Sequence, residues 1–281
     1  MQIGNKIVDE NMLIKEYFDN YSHSYDEDNK KGYWKLCDEI LMFHLRKRIE
    51  KNIFSFVELG SGTGEWSKRI FDEYPKSSGK LYDISDGMIA ISEQKLKDYS
   101  GRVQIYKQDI LKILGKQDSD YTFLIYVLMF TKEQEAFLRI AKSTLKEDGK
   151  LYFVVENQLN GIAINLLNDN GNEAIKIYNE SFGTITENVP QIYYNTIDNV
   201  KSICNKLDLE ITYYMGFPVV TTIGVKRSCD TKYRKMKKIL SDEKTYNDFL
   251  SVEKELTQKE EMAIRGKYIL FEAMIKHERH Y

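Results

Sequence analysis

Three glycines on alternate positions, Gly60, Gly62 and Gly64, follow an apolar run ending at Leu59, and the carboxylate of Glu58 precedes them at the strand tip. Glycine is used where a backbone must turn sharply or lie against a ligand with no Cβ between them. A loop of this spacing therefore reads as the floor of a cofactor site. A dinucleotide site is the nearest alternative, but its fingerprint needs a third glycine for helix–strand packing, and Glu65 holds that place here. A carboxylate at the tip would also repel a pyrophosphate, whereas it suits a ligand bearing an ammonium group. Asp83 follows about 20 residues later, placed to accept hydrogen bonds from two ribose hydroxyls. Ser85 or Asp86 is better situated to cap the next helix. For acid–base work, His23, Glu156 and tyrosines such as Tyr25 and Tyr126 are the candidates.

The elements that must position these groups alternate in type. Ile53–Leu59 reads as a strand, and Trp66, Ile70 and Phe71 have the spacing of a helix. Further strands are expected at 79–84, 102–106, 121–130, 150–155, 209–214 and 266–272, with a helix over 132–145 that ends in the turn Glu147-Asp148-Gly149. The run 121–130 has the continuous apolar character of a parallel strand buried on both faces. Alternation of this kind gives a doubly wound α/β sheet. Ahead of it, residues 1–50 read as a helical cap, with two apolar stripes at helical spacing separated by a polar break over 22–32. The segment Tyr17–Asp26 interleaves aromatics with short polar residues and is expected to break out of a single helix. After strand five, residues 156–200 form an insertion long enough to be a lid, and 230–265 is a charged helical excursion before the last strand. One domain over residues 1–281 is expected.

Composition narrows the function. With 41 basic and 43 acidic residues dispersed along 281 positions, the chain lacks the electrostatic footprint of a nucleic-acid binder. No apolar run approaches the ~20 residues that cross a bilayer, and the start of the chain lacks the pattern of a signal peptide, so a cytoplasmic protein without membrane or nucleic-acid partners is expected, as a monomer or homodimer. Cys37, Cys204 and Cys229 are isolated, and the four histidines show no ligand spacing, so no metal site is expected.

Glu58, Gly60, Gly62 and Gly64, set between strand and helix, resemble motif I (E/D-x-G-x-G-x-G) of the class I S-adenosylmethionine (SAM) dependent methyltransferases of the small-molecule type. The run Asp83-Ile84-Ser85-Asp86-Gly87-Met88 is similar to that family's second motif, and Leu145–Leu151 to its approach to strand five. The resemblance spans Tyr17 to Ile275 and is strongest over 53–155. It implies a Rossmann-like, seven-stranded, mostly parallel sheet with a reversed final strand, a helical cap and an insertion after strand five. It implies SAM as cofactor and S-adenosylhomocysteine as product, held by Glu58, Gly60, Ser61, Gly62, Gly64, Asp83, Ile84, Met88, Asp109, Ile110 and Tyr126. Within that set Met88 would wall the adenine and Asp109 would bond its exocyclic amine. Tyr126–Phe130 would stand beside the sulfonium methyl.

The sequence departs from the family at Thr122, where many members carry an acid, and places nothing ionisable at neutral pH in 126–130. With no clear base, N-methylation is favoured over O-methylation of a small-molecule or short-peptide acceptor, catalysed with help from His23, Tyr25, Tyr126 or Glu156. Tyr17, Tyr21, Trp34, Asn157, Tyr178 and Tyr193 are expected to touch that acceptor. The rival readings are a non-catalytic SAM-binding regulator and, more remotely, an NAD-dependent oxidoreductase.

Overall fold

In a computed structural model of the chain, which describes residues 10–30, 32–184, 190–221, 236 and 238–277, a central sheet is covered by helices on both faces. Five parallel strands supply its body: β1 (Ser55–Leu59), β2 (Ser78–Asp83), β3 (Val103–Lys107), β4 (Ser119–Leu124) and β5 (Leu145–Asn157), in the order β3-β2-β1-β4-β5. Beyond β5 the sheet continues through β9 (Tyr268–Ile275), antiparallel to it, to β8 (Leu209–Phe217), which pairs antiparallel with β9. These seven strands and the reversed last one match the sequence expectation. A short hairpin, β6 (Phe182–Gly183) and β7 (Ile192–Asn195), is additional, and it comes from the insertion, which also carries α6 (Gln158–Leu167) and α7 (Gly171–Glu180).

The hairpin marks a fork at the carboxyl edge. β4 pairs with β5 as far as Leu124 opposite Phe153, then leaves; β7 takes its place beside Glu156 and Asn157. The expected strand 121–130 therefore ends six residues early. Tyr126 adopts φ +59 and Leu128–Phe130 turn as a 3-10 helix, which carries the chain off the sheet where open α/β sheets bind ligands. A second difference lies at the other end of β5. Thr144 ends the helix α5 (Gln134–Thr144) and residues 145–149 already run as strand, with an irregular register opposite Ser119 and Tyr121. Gly149 is part of this bulge and not a helix cap: a Cβ there would lie 3.0 Å from the carbonyls of Lys146 and Ser119.

Side chains alternate between the two faces of each strand. Phe56, Tyr121, Phe123, Tyr152 and Leu270 pack under α2 (Gly32–Arg48) and α3 (Glu65–Glu73). Val57, Leu59, Leu124, Phe153, Val155 and Phe271 pack under α5 and α8 (Ile197–Lys206) on the other face. Phe123 and Phe153 are wholly buried, and truncating either to alanine carries the ~3–5 kcal/mol cost of a large core cavity. The excursion before β9 contributes α9 (Glu243–Leu256), whose Tyr246 and Leu250 are buried in the first of these layers. Buried Glu253 on α9 accepts from the backbone N–H of Val219, Val220 and Thr221 and so fixes the chain leaving β8. Tyr233 and Cys229 lie outside the described residues.

The cap differs most from expectation. Tyr17–Asp26 does not break: α1 runs unbroken from Glu10 to Asn29. Tyr17, Tyr21 and Tyr25 are four residues apart, one face of a helix, and their rings meet at 5.8 and 5.5 Å. The short polar residues between them are engaged on the opposite flank, with Lys15 bridging Asp19 at 2.6 Å and Ser22 donating to the Asp19 carbonyl at 2.9 Å.

Candidate active site

The glycine loop turns at the tip of β1, with the N–H groups of Gly60 and Ser61 both donating to the Tyr82 carbonyl at 2.7 and 3.0 Å. All three glycines have positive φ, yet they serve different ends. A Cβ on Gly60 would lie 2.6 Å from Val127, and one on Gly64 would lie 2.6 Å from Ser92 and 2.9 Å from Leu96. Those two allow the loop to pack against the post-β4 turn and against α4 (Asp86–Lys95). Gly62 is different: its nearest neighbour would be Met88 Sδ at 4.0 Å. Its N–H donates to Asp83 Oδ2 at 2.7 Å, and Asp83 Oδ1 accepts from Ser85 N–H at 2.9 Å, so the acid at the end of β2 is held beside the open glycine with acceptor capacity left on both oxygens.

Glu58 is buried and accepts the hydroxyl hydrogen of Ser67 on α3. Burial lifts its carboxyl to about 8, against the pull of Ser67. Burial also raises Asp83, countered by the N–H groups of Ser85 and Gly62. The Ser61 hydroxyl is buried without a hydrogen-bond partner among the described residues. Met88 and Ile110 are buried, Ile84 and Asp109 half-buried. Asp109 accepts from Leu111 N–H at 2.9 Å, capping the turn after β3. Helix α1 lies against this edge. Asp26 accepts from Thr63 Oγ1 at 2.7 Å and pairs with Lys95 at 2.8 Å, which in turn reaches Glu65 at 3.0 Å. The Phe18 ring meets Phe130 edge-on at 5.1 Å.

Past the loop, the tips of β4, β5 and β9 hold an aromatic group in which Tyr268 and Trp66 are buried and Tyr126 and Trp34 half-buried. Tyr126 packs against Tyr268 at 5.0 Å and Trp66 at 6.5 Å, and Tyr268 against Trp34 at 6.2 Å. Glu156 is buried at the end of β5, opposite Tyr268 in the register; burial raises its carboxyl to about 7, against the nearby Lys267. Asp38 on α2 is likewise raised by burial to about 7, with Arg69 at 3.2 Å opposing. Of the residues picked out for catalysis and the acceptor, Tyr126, Glu156 and Trp34 come together here, and Tyr25 bears on the Tyr126 hydroxyl from α1.

Others do not. His23 is exposed on α1. Tyr178 is 71% exposed. Asn157 is buried but committed: its amide donates to the carbonyls of Ile264 and Gly266 at 2.9 and 2.7 Å and its oxygen accepts from Leu159 N–H at 3.1 Å. Tyr193 hydrogen-bonds Glu10 at 2.5 Å, joining the insertion to α1. Sequence reasoning passed over Asp19, Asp26, Lys95, Tyr33 and Lys267. Lys267 carried a signal, being a lone charge at the opening of an apolar strand.

The family named simply "Methyltransferase domain" matches residues 57–151, the span from β1 into β5. Over that span, about a third of the chain, the sequence matches a methyltransferase domain. Among curated proteins it is 26% identical over 116 residues to malonyl-[acyl-carrier protein] O-methyltransferase 1 of Ilyobacter polytropus, a match covering 39% of this chain and 43% of that protein. The chain thus spans less than half the length of that relative. Among solved structures, magnesium protoporphyrin IX methyltransferase from Synechocystis with bound S-adenosylhomocysteine superposes with TM-score 0.56 at 13% identity, over 95% of this chain and 100% of that one. Phosphoethanolamine N-methyltransferase 2 from Haemonchus contortus gives TM-score 0.59 at 15% identity, over 97% of this chain and 61% of that one. These likenesses establish the fold. The methyltransferase domain's cofactor suits the residues present: an open cradle at Gly62, a free buried hydroxyl on Ser61, and two carboxylates, Glu58 and Asp83, for an ammonium and a ribose. Among the described residues no helix is long and apolar enough to cross a membrane and no cluster of side chains could hold a metal.

Proposed function

We propose that this protein transfers the methyl group of SAM to a small-molecule acceptor. The observation that carries the reading is the position of Tyr126: it leaves β4 between the open glycine cradle and the aromatic group of Trp34 and Tyr268, so one residue borders both the cofactor loop and an aromatic cluster at the sheet's carboxyl edge. SAM supplies an electrophilic methyl when bound. Glu58, the Gly62 cradle, Asp83 and Asp109 would hold the cofactor, and α1 with Tyr193 would shut water out. Positioning of this kind can supply ~7–11 kcal/mol of a bimolecular barrier. Aromatic side chains beside the cofactor loop, with α1 lying against this edge, favour a small, partly planar acceptor over a macromolecule.

Sequence reasoning favours nitrogen as the acceptor atom because it finds no base. Glu156 weakens that ground: it is buried near Tyr126 and held near neutrality, where a general base works best. Release of S-adenosylhomocysteine from a panel of small amines, phenols and carboxylic acids tests the proposal, with SAM affinity followed by calorimetry. Asp83→Ala should weaken SAM by ~1–3 kcal/mol. Unchanged affinity would remove Asp83 from the ribose, and SAM binding without turnover on any class of acceptor would favour a regulator.

A further inference from the structure

Lys267 and Glu156 form a buried pair that the cofactor does not need. The ammonium lies 4.0 Å from Glu156 Oε1, the two side chains being 7% and 3% exposed. Lysine is almost never this buried unless paired, and a well-packed apolar pair would serve stability as well or better. The contact is also longer than the 2.7–2.9 Å of a tight charged hydrogen bond. Both groups therefore keep capacity for a third partner.

The surroundings point the same way. Tyr268, Trp34 and Tyr33 ring the ammonium, with centroids at 4.7, 4.9 and 5.6 Å. Burial holds the Tyr33 hydroxyl well above its usual range, with Cys37 beside it and Glu156 and Tyr126 adding to the effect. Buried charges are nearly always tightly paired or hydrogen-bonded, so a loose ion pair ringed by aromatics marks a place suited to a polar ligand. An aromatic ring of this kind with a carboxylate would ordinarily take a cation. Here the chain's own ammonium fills it. The backbone fixes that ammonium, since Lys267 N–H donates to the Pro218 carbonyl at 3.2 Å and its carbonyl accepts from Asn157 N–H at 3.0 Å. A second cation would be repelled by that ammonium, while an acidic oxygen would find in it a donor.

We propose that Lys267 and Glu156 form the acceptor-oxygen site, and that the acceptor is a small phenol or carboxylic acid whose oxygen lies against the Lys267 ammonium and whose proton, where it carries one, passes to Glu156. The assignment rests on the methyltransferase reading given above. In the transfer the acceptor O–H bond breaks and its proton moves to a Glu156 oxygen. The acceptor oxygen's electron pair forms the new C–O bond, the methyl–sulfur bond breaks with its electrons left on sulfur, and Glu156 then returns the proton to water. Burial holds Glu156 near 7, so a working fraction is carboxylate at neutral pH.

The test uses the full chain saturated with S-adenosylhomocysteine and titrated calorimetrically with 4-nitrophenol and benzoate, against benzylamine and benzyltrimethylammonium. The anionic probes should bind and the cationic ones should not. Lys267→Met should weaken the anions at least about tenfold, with Lys267→Arg restoring most of the loss. With SAM and 4-methylphenol, which like tyrosine stays protonated until about pH 10, the wild-type rate should rise with pH through about 7. Glu156→Gln should lose that limb and about a hundredfold or more in kcat, with little change in KM. Thermal unfolding and S-adenosylhomocysteine affinity of each variant report whether it is folded. Cations binding as well as anions, no probe binding at all, or a Glu156→Gln variant with the wild-type pH profile would each overturn the assignment. Failure of the wild-type chain to bind S-adenosylhomocysteine would bring down the cofactor reading itself.

Discussion

Asp19, in the middle of α1, accepts from the backbone N–H of Gly87 at 3.0 Å and from the Ser85 hydroxyl at 2.6 Å, so a residue of the cap closes the N-terminus of α4 just past Asp83. Burial alone would raise this carboxyl, but hydrogen bonds from Lys15, Ser85 and Gly87 hold it at about 2. A lowered value means that the latch is fully formed above the ordinary aspartate range and is lost only as pH falls through about 2. Asp19→Ala should cost about 0.5–2 kcal/mol, the range for a lost helix cap, and release α1. Hydrogen exchange over residues 15–26 should then speed up in the variant and slow when cofactor and acceptor bind the wild type. Equal exchange in all states would mean that α1 is not a cover.

Gly62 and Gly64 should separate binding from folding. Gly64→Ala drives a methyl into Ser92 and Leu96 at a backbone conformation that favours glycine, so it should lose ~1–3 kcal/mol of stability from overpacking and more from strain. Gly62→Ala meets open space, so its stability cost is limited to the backbone, and it should lose SAM affinity out of proportion to that cost. Denaturant unfolding and calorimetry on the two variants check the contrast. Equal stability losses with unaltered SAM binding would show that Gly62 is a turn glycine only.

The carboxyls of Glu58, Asp38 and Glu156, raised by burial to about 8, 7 and 7, give stability a slope with pH. Each native group keeps a proton that the unfolded chain has already released above about pH 4.5. Between there and the native values the folded state binds more protons, so stability falls as pH rises. The melting temperature of the ligand-free protein should drop from about pH 5 to 8, and Glu58→Gln should flatten the upper part of that drop. A rise over the same range would show that these groups ionise freely. SAM bearing an ammonium should favour the Glu58 anion, so its binding should release protons near pH 7.

Much of this was legible before the structure because local chemistry and long-range placement agree. Strand, glycine turn and helix follow one another within 53–70, and Asp83 is brought to the loop by the strand next to β1, so spacing along the chain maps onto spacing in the sheet. The proposed acceptor side was less legible because it draws on three distant elements: Tyr33 and Trp34 on α2, Glu156 at the end of β5, and Lys267 just before β9. Antiparallel pairing of β5 with β9 sets Glu156 opposite Tyr268, and no local pattern announces that register. Asn157 illustrates the opposite error. Polar and at a strand tip, it reads as a ligand contact, whereas its amide holds the turn at Gly266. Asn157→Ala should cost ~1–3 kcal/mol for the carbonyls left unpaired and leave the choice of acceptor unchanged.

His23 gives the last test. Lys15, Asp19 and Asp26 of α1 engage α4 and the glycine loop, and Phe18 reaches the post-β4 turn. His23 takes part in neither set and is exposed to solvent. A general base must come within hydrogen-bond reach of the proton it takes, directly or through one water, and no rotamer change carries an exposed side chain of a packed helix through that helix. His23→Ala should therefore keep kcat within about threefold and leave the pH profile in place, whichever atom accepts the methyl. Substitution at an exposed surface position should also move stability by no more than about 0.5 kcal/mol. A loss of a hundredfold or more, with SAM affinity intact, would mean that α1 turns on acceptor binding to bring His23 inward, and would return it to the role of base in place of Glu156.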